Sequence, residues 1–167
     1  NLNGTDFLPR LIATAPAPLR IGLLGAQPGV AEKAAAHLAA RDPRHELRVL
    51  GHGYFDAAGE AALLTDLRAR PVDLLLVAMG NPGQELWIDG HIIGAEARVA
   101  AGVGALFDFL AGEVPRAPLW LRRFRLEWLY RLAQEPARLW RRYVLGNPAF
   151  LMRLLFARLN NALSEKS

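Results

Sequence analysis

The chain has 167 residues, 20 Lys+Arg against 16 Asp+Glu and a net charge of +4, a length that ordinarily folds as one domain burying roughly 70% of its unfolded surface. With no Cys, and with Ser164 and Ser167 as its only serines, it excludes a disulfide framework, a thiolate nucleophile and a Cys-bearing zinc site, and argues against a serine-hydrolase triad. The charge is split: nine basic and 13 acidic residues lie up to Pro115, eleven and three beyond it, and 18 of the 20 cations are Arg, which suits planar anions such as phosphate or carboxylate.

In chain order, Arg20-Ile-Gly-Leu-Leu-Gly25 is an apolar run closing on glycine and predicts a strand; residues 29–40 after it are Ala-rich and predict a helix. Residues 47–50 predict a second strand ending at Gly51-His52-Gly53. A second helix follows over 56–70, with Leu63, Leu64 and Leu67 on one side. Residues 72–79 are almost wholly apolar, the pattern of a parallel strand covered by helices on both faces. A helix over 84–93 and a strand over 97–101, ending in Gly102-Val-Gly104, complete four strand-helix repeats. They predict an α/β fold, a doubly wound parallel sheet with helices on both faces. No apolar stretch reaches the ~18–20 residues of a spanning helix, and Asn1 opens no signal peptide; no transmembrane segment is predicted.

Each strand ends in a glycine-bearing turn, at Gly25, Gly51/Gly53, Gly80 and Gly102/Gly104. In open α/β sheets the ligand crevice lies at the carboxyl ends of the strands, so these turns are expected to line one site. The alternative is that glycine serves turn geometry alone. Gly22-Leu-Leu-Gly25-Ala-Gln-Pro-Gly29 is neither the Gly-x-Gly-x-x-Gly dinucleotide fingerprint nor a Walker loop, which disfavours nicotinamide cofactors and P-loop chemistry. His37, His45, His52 and His91 lack paired ligand spacing and read as surface or packed histidines, and no metal is expected.

Polar Asn81, Gln84 and Glu85 follow the most apolar strand directly and are placed at the crevice, where amides can orient a sugar or phosphate oxygen. Glu85 reads equally as a first-turn carboxylate favoured by the helix dipole. Asp108 lies a few residues past the fourth strand, positioned either to accept from a ligand hydroxyl or base N–H or to cap a helix.

Beyond Pro115, ten Arg and eight aromatics lie between Arg116 and Arg158, and Pro118, Pro136 and Gly146-Asn147-Pro148 cut the segment into three predicted helical pieces. Trp120, Phe124 and Trp128 recur at i, i+4, i+8 with Arg around them, a pattern common in helices lying in a membrane interface; the alternative is helices packed on the sheet with solvated Arg faces. No nucleic-acid recognition motif accompanies the basic, aromatic composition, and no nucleic-acid partner is expected.

Taken together, Leu23-Leu-Gly25-Ala-Gln-Pro-Gly29, His52-Gly-Tyr-Phe55, Gly80-Asn-Pro-Gly-Gln-Glu85, Gly102-Val-Gly-Ala-Leu-Phe-Asp-Phe-Leu-Ala-Gly112, Arg116-Ala-Pro118 and the stretch from Glu127 to Tyr143 resemble the WecG/TagA/CpsF family of bacterial glycosyltransferases. The resemblance runs from Gly4-Thr-Asp-Phe-Leu-Pro9 to about Leu151. It implies an inverting, metal-independent transfer of a sugar from a UDP-sugar to a polyprenyl-diphosphate-linked acceptor, at the cytoplasmic face of the cell membrane. It further implies a Rossmann-like donor-binding body over residues 1–115 and a basic, aromatic helical appendage over 116–167. The two form one structural unit, with residues 116–160 touching the membrane. By position, Tyr54 and Asp108 match residues around the uridine, and Gln84 matches an active-site glutamine. Arg131, Arg138 and Arg141 match appendage arginines that hold the diphosphate; Gly25 and Asn81 join them in the donor site.

In this family the general-base carboxylate is expected in an Asn-x-Asp-Gly stretch upstream of the Gly-Thr-Asp motif, which here opens at Gly4. That segment is expected to lie outside these 167 residues. The alternative to an enzyme is therefore a non-catalytic nucleotide-sugar or lipid-phosphate binding module. Asp6 is the in-chain carboxylate nearest that position, with no spacing that assigns it the role.

Overall fold

The computed structural model describes residues 4–114, 117, 118, 121, 124, 126–134 and 152. The chain divides into two compact units, Asn1–Pro115 and Arg116–Ser167.

The first unit opens with α1 (Gly4–Ala13) and continues β1 (Arg20–Gly25), α2 (Val30–Arg41), β2 (Glu46–Gly51), α3 (Ala57–Ala69), β3 (Val72–Ala78), α4 (Gly83–His91), β4 (Ala97–Gly102) and α5 (Leu106–Leu110). The four strands form one parallel sheet, as the strand-helix alternation predicts, and their order is β2-β1-β3-β4. Ile21 pairs with Leu74, Leu23 with Leu76 and Leu24 with Val77. Because side chains alternate along a strand, Ile21, Leu23, Leu74 and Leu76 enter one core layer with Leu8 and Ile12 of α1, Val30, Ala34 and Leu38 of α2, and Leu106 and Phe107 of α5. Leu24, Leu75 and Val77 enter the other, against Leu63, Leu64 and Leu67 of α3 and Trp87 of α4. Burial on both faces is why β1 and β3 read as nearly continuous apolar runs rather than alternating ones.

The chain leaves β1 for β2 across the α2 face, then crosses back over the α3 face to β3 on the other side of β1. Right-handed crossovers require opposite faces for opposite directions. The carboxyl ends of β1 and β3 are thus the switch point where open α/β sheets hold ligands.

α1, like the short α5, is an element that the periodicity does not predict. Its buried face is one i, i+4 pair, Leu8 and Ile12, and Pro9 sits inside it, so no sustained 3.6-residue pattern marks it. Buried His45 secures its end: Nδ1 accepts the Leu19 N–H at 3.1 Å and Nε2 lies 3.0 Å from the Ile12 carbonyl oxygen. That pairing makes the ring the neutral tautomer with the proton on Nε2, a packed histidine.

Charge pairing concentrates at the amino ends of the strands. Asp73 accepts from the Arg20 backbone N–H at 2.9 Å and from its guanidinium at 3.2 Å. Glu96, just before β4 and fully buried, accepts from Arg68 Nε at 3.0 Å and from the Ile93 N–H at 3.2 Å.

In the second unit α6 (Glu127–Gln134) is helical, and Phe124 is exposed. Trp120, Trp140, Pro136 and the Gly146-Asn147-Pro148 turn lie outside the described residues. Among the described residues no helix is long and apolar enough to cross a membrane.

Candidate functional site

At the carboxyl ends of the strands, successive turns are joined by hydrogen bonds. The Gly53 N–H donates to the Ala26 carbonyl at 3.0 Å, linking the turns after β2 and β1. Ala26 N–H donates to the Ala78 carbonyl at 2.7 Å, linking β1 to β3, and Val103 N–H donates to the Val77 carbonyl at 2.8 Å, linking β3 to the turn after β4. The four glycine-bearing turns therefore adjoin along one edge of the sheet.

Gly25 makes the closest approach. Its φ is +116°, and a Cβ there would lie 2.5 Å from the Ala78 carbonyl oxygen. Glycine is required where two strand ends touch this closely in a left-handed conformation. Ala26 follows at φ 62°, so the backbone after β1 turns sharply within two residues.

From β3 the chain passes Gly80, the cis Asn81-Pro82 bond and Pro82, which occupies the position before the first residue of α4. Asn81 is exposed on this turn, and Gln84 and Glu85 form the first turn of α4. Their side chains differ in environment. Gln84 is only 5% exposed: its Oε1 accepts the Gly104 N–H at 3.0 Å and its Nε2 donates to Glu85 Oε1 at 2.8 Å. Its amide occupies the space beside Gly102, where a Cβ would lie 2.6 Å from Nε2. Gln84 thus ties the turn after β4 to the start of α4 and also fixes one oxygen of exposed Glu85.

The remaining predicted residues are distributed as follows. Tyr54, in the turn after β2, is 64% exposed; its N–H donates to His52 Nδ1 at 3.1 Å and its Oη receives Gln27 Nε2 at 2.8 Å. Asp108 is half-buried in the first turn of α5, three residues after the cap position at Ala105. Its backbone carbonyl receives the Glu113 and Val114 N–H groups, folding the chain back after α5. Arg131 falls within α6, whereas Arg138 and Arg141 lie outside the described residues.

Two features escape sequence reasoning. Gln27 sits in the quoted Gly25-Ala-Gln-Pro-Gly29 turn, but only the pairing of β1 beside β2 shows that it meets Tyr54. Beneath α4, Trp87 Nε1 donates to Glu60 Oε1 of α3 at 2.7 Å, the His91 ring stacks on Trp87 at 5.2 Å, and Phe55 meets it edge-on at 6.5 Å. This cluster seats α4, and with it Gln84 and Glu85, against α3 and the turn before it.

Residues 1–164 match the family described as the glycosyl transferase WecG/TagA/CpsF family. An N-acetylglucosaminyldiphosphoundecaprenol N-acetyl-beta-D-mannosaminyltransferase of Bacillus spizizenii is 38% identical over 113 residues, 68% of this chain and 42% of the relative. A protein of the same name from Bacillus subtilis is 34% identical over 136 residues, 81% of this chain and 52% of the relative. The chain spans about half the length of the curated relatives it matches.

Proposed function

This chain belongs to the WecG/TagA/CpsF family of glycosyl transferases, and on that premise we propose that it transfers a sugar from a UDP-sugar to a polyprenyl-diphosphate-linked acceptor in bacterial surface-polysaccharide synthesis. The observation that carries the reading is the run of hydrogen-bonded glycine turns at the carboxyl ends of the strands, around the β1/β3 switch point, the place where open α/β sheets hold nucleotides. The names of the two Bacillus relatives favour N-acetylmannosamine as the sugar and N-acetylglucosaminyldiphosphoundecaprenol as the acceptor.

In this reading Tyr54 and Asp108 flank the uridine, and Gly25, Asn81 and Gln84 surround the donor. The acceptor hydroxyl oxygen attacks the anomeric carbon as UDP departs from the opposite face, inverting the centre. The hydroxyl proton passes to a general-base carboxylate, which the family resemblance puts in an Asn-x-Asp-Gly stretch ahead of the Gly-Thr-Asp motif. Arg131, Arg138 and Arg141 meet the charge that grows on the leaving diphosphate, so the transfer needs no resident metal. Residues 116–160 rest on the inner face of the cell membrane, where the lipid-linked acceptor resides.

The test is calorimetry of the 167-residue chain with UDP and UDP-N-acetylmannosamine in chelator-treated buffer, followed by UDP release with the lipid-linked acceptor. Binding without divalent metal supports the donor site, and absence of binding overturns it. A general base contributes about 10²–10⁴-fold, so binding with no UDP release assigns this chain the donor-binding half of the reaction.

A further inference from the structure

We propose that Gln27 is a positioning residue of this site, holding the Tyr54 ring as a preset stacking surface for the nucleobase; the inference rests on the donor-site reading above. Gln27 lies in the turn after β1 and Tyr54 in the turn after β2, and their side chains meet at 2.8 Å between Nε2 and Oη. Two backbone donors fix the base of the Tyr54 turn: Gly53 N–H to the Ala26 carbonyl at 3.0 Å, and Tyr54 N–H to the His52 side chain at Nδ1, 3.1 Å. Neither bond holds the tyrosine ring itself, which rotates about two side-chain bonds; the His52 imidazole lies tilted beside it, 6.3 Å between ring centroids. The Gln27 contact supplies that restraint at the far end of the ring.

Folding gives little reason for this bond. Both side chains are exposed, and a hydrogen bond between exposed groups exchanges water partners for protein ones while ordering two mobile side chains. The geometry makes sense for a ligand. Tyr54, 64% exposed beside the carboxyl ends of β1 and β2, is an aromatic residue on which a base can stack, and stacking on a ring already ordered avoids the entropy of immobilising it at binding. Gln27 thereby acts on affinity through Tyr54, without a requirement to touch the ligand.

A double-mutant cycle on UDP affinity tests this, using Gln27→Ala, Tyr54→Phe and the double variant, with melting temperature measured in parallel. Tyr54→Phe keeps the ring and removes its hydroxyl. We expect each single change to weaken UDP binding about threefold to tenfold, the double variant to bind no worse than either single one, and the melting temperature to stay unchanged. Unaltered UDP affinity in Gln27→Ala, or single effects that multiply in the double variant, would overturn the positioning role while leaving the donor site standing. Failure of the unmutated chain to bind UDP overturns the donor site and the inference together.

Discussion

Gln84 and Gly104 are joined by a 3.0 Å hydrogen bond from the Gly104 backbone N–H to the buried Gln84 Oε1. That bond couples the turn after β4, which leads to Asp108, to the first turn of α4, which carries Glu85. The glutamine expected beside the donor therefore has a structural task in the same place.

Gly102 leaves the room that Gln84 occupies. Gly102→Ala puts a methyl 2.6 Å from Gln84 Nε2, and overpacking of this kind costs about 1–3 kcal/mol. Gln84→Ala leaves the Gly104 N–H without its partner at a similar cost of about 1–3 kcal/mol. Because both changes break one contact, denaturant unfolding should show the double variant clearly less destabilised than the sum of the single ones.

Gly25→Ala tests the close approach of β1 and β3. The methyl meets the Ala78 carbonyl oxygen in a backbone conformation at φ +116°, and strain of this class costs about 1–3 kcal/mol before the collision is counted. We expect a fall in melting temperature of several degrees, together with weaker UDP binding. A variant as stable as the parent would show that this backbone relaxes freely.

The Arg68–Glu96 ion pair at the opposite end of the sheet contributes to acid stability. Hydrogen bonding from Arg68 holds the Glu96 carboxyl below the usual glutamate range. A depressed folded-state value means that its stabilisation is complete above the usual range, near pH 4.3, and is lost as pH falls through the lower folded-state value. Glu96→Gln should lower stability at pH 7 by about 1–3 kcal/mol, the worth of hydrogen bonds to a charged group, and flatten the decline below about pH 4.5. Parallel pH profiles of melting temperature would contradict the linkage.

For the second unit, Arg131→Ala and Arg138→Ala should each weaken UDP binding about tenfold or more, as loss of a charge-assisted contact to a diphosphate implies. UDP affinity unchanged in both would remove the appendage from the donor site. Flotation with anionic liposomes should disappear when residues 116–167 are deleted, and flotation that persists would place the membrane contact in the first unit.

Much of the fold was legible in the residues. The almost wholly apolar run of β3 and the glycine after each strand announce a doubly covered parallel sheet, and the motifs after β3 and β4 announce the turns at its carboxyl edge. α1 stayed hidden because two buried residues around an internal proline make no period. The side-chain pairings also stayed hidden: Gln27 with Tyr54 are 27 residues apart, Gln84 with Gly104 are 20 apart and Arg68 with Glu96 are 28 apart, too far for local spacing to relate them.

The sequence by itself determined the class of fold, the family and the division between an acidic α/β body and an Arg-rich remainder, because hydrophobic period, glycine placement and charge are properties of local order along the chain. Only the tertiary structure decided that β1 lies between β2 and β3 and that four separate turns share hydrogen bonds at one edge. It also showed that Gln84 is enclosed while Tyr54 stands exposed. Strand order and burial arise from packing both faces of the sheet at once, and no stretch of residues carries that information alone.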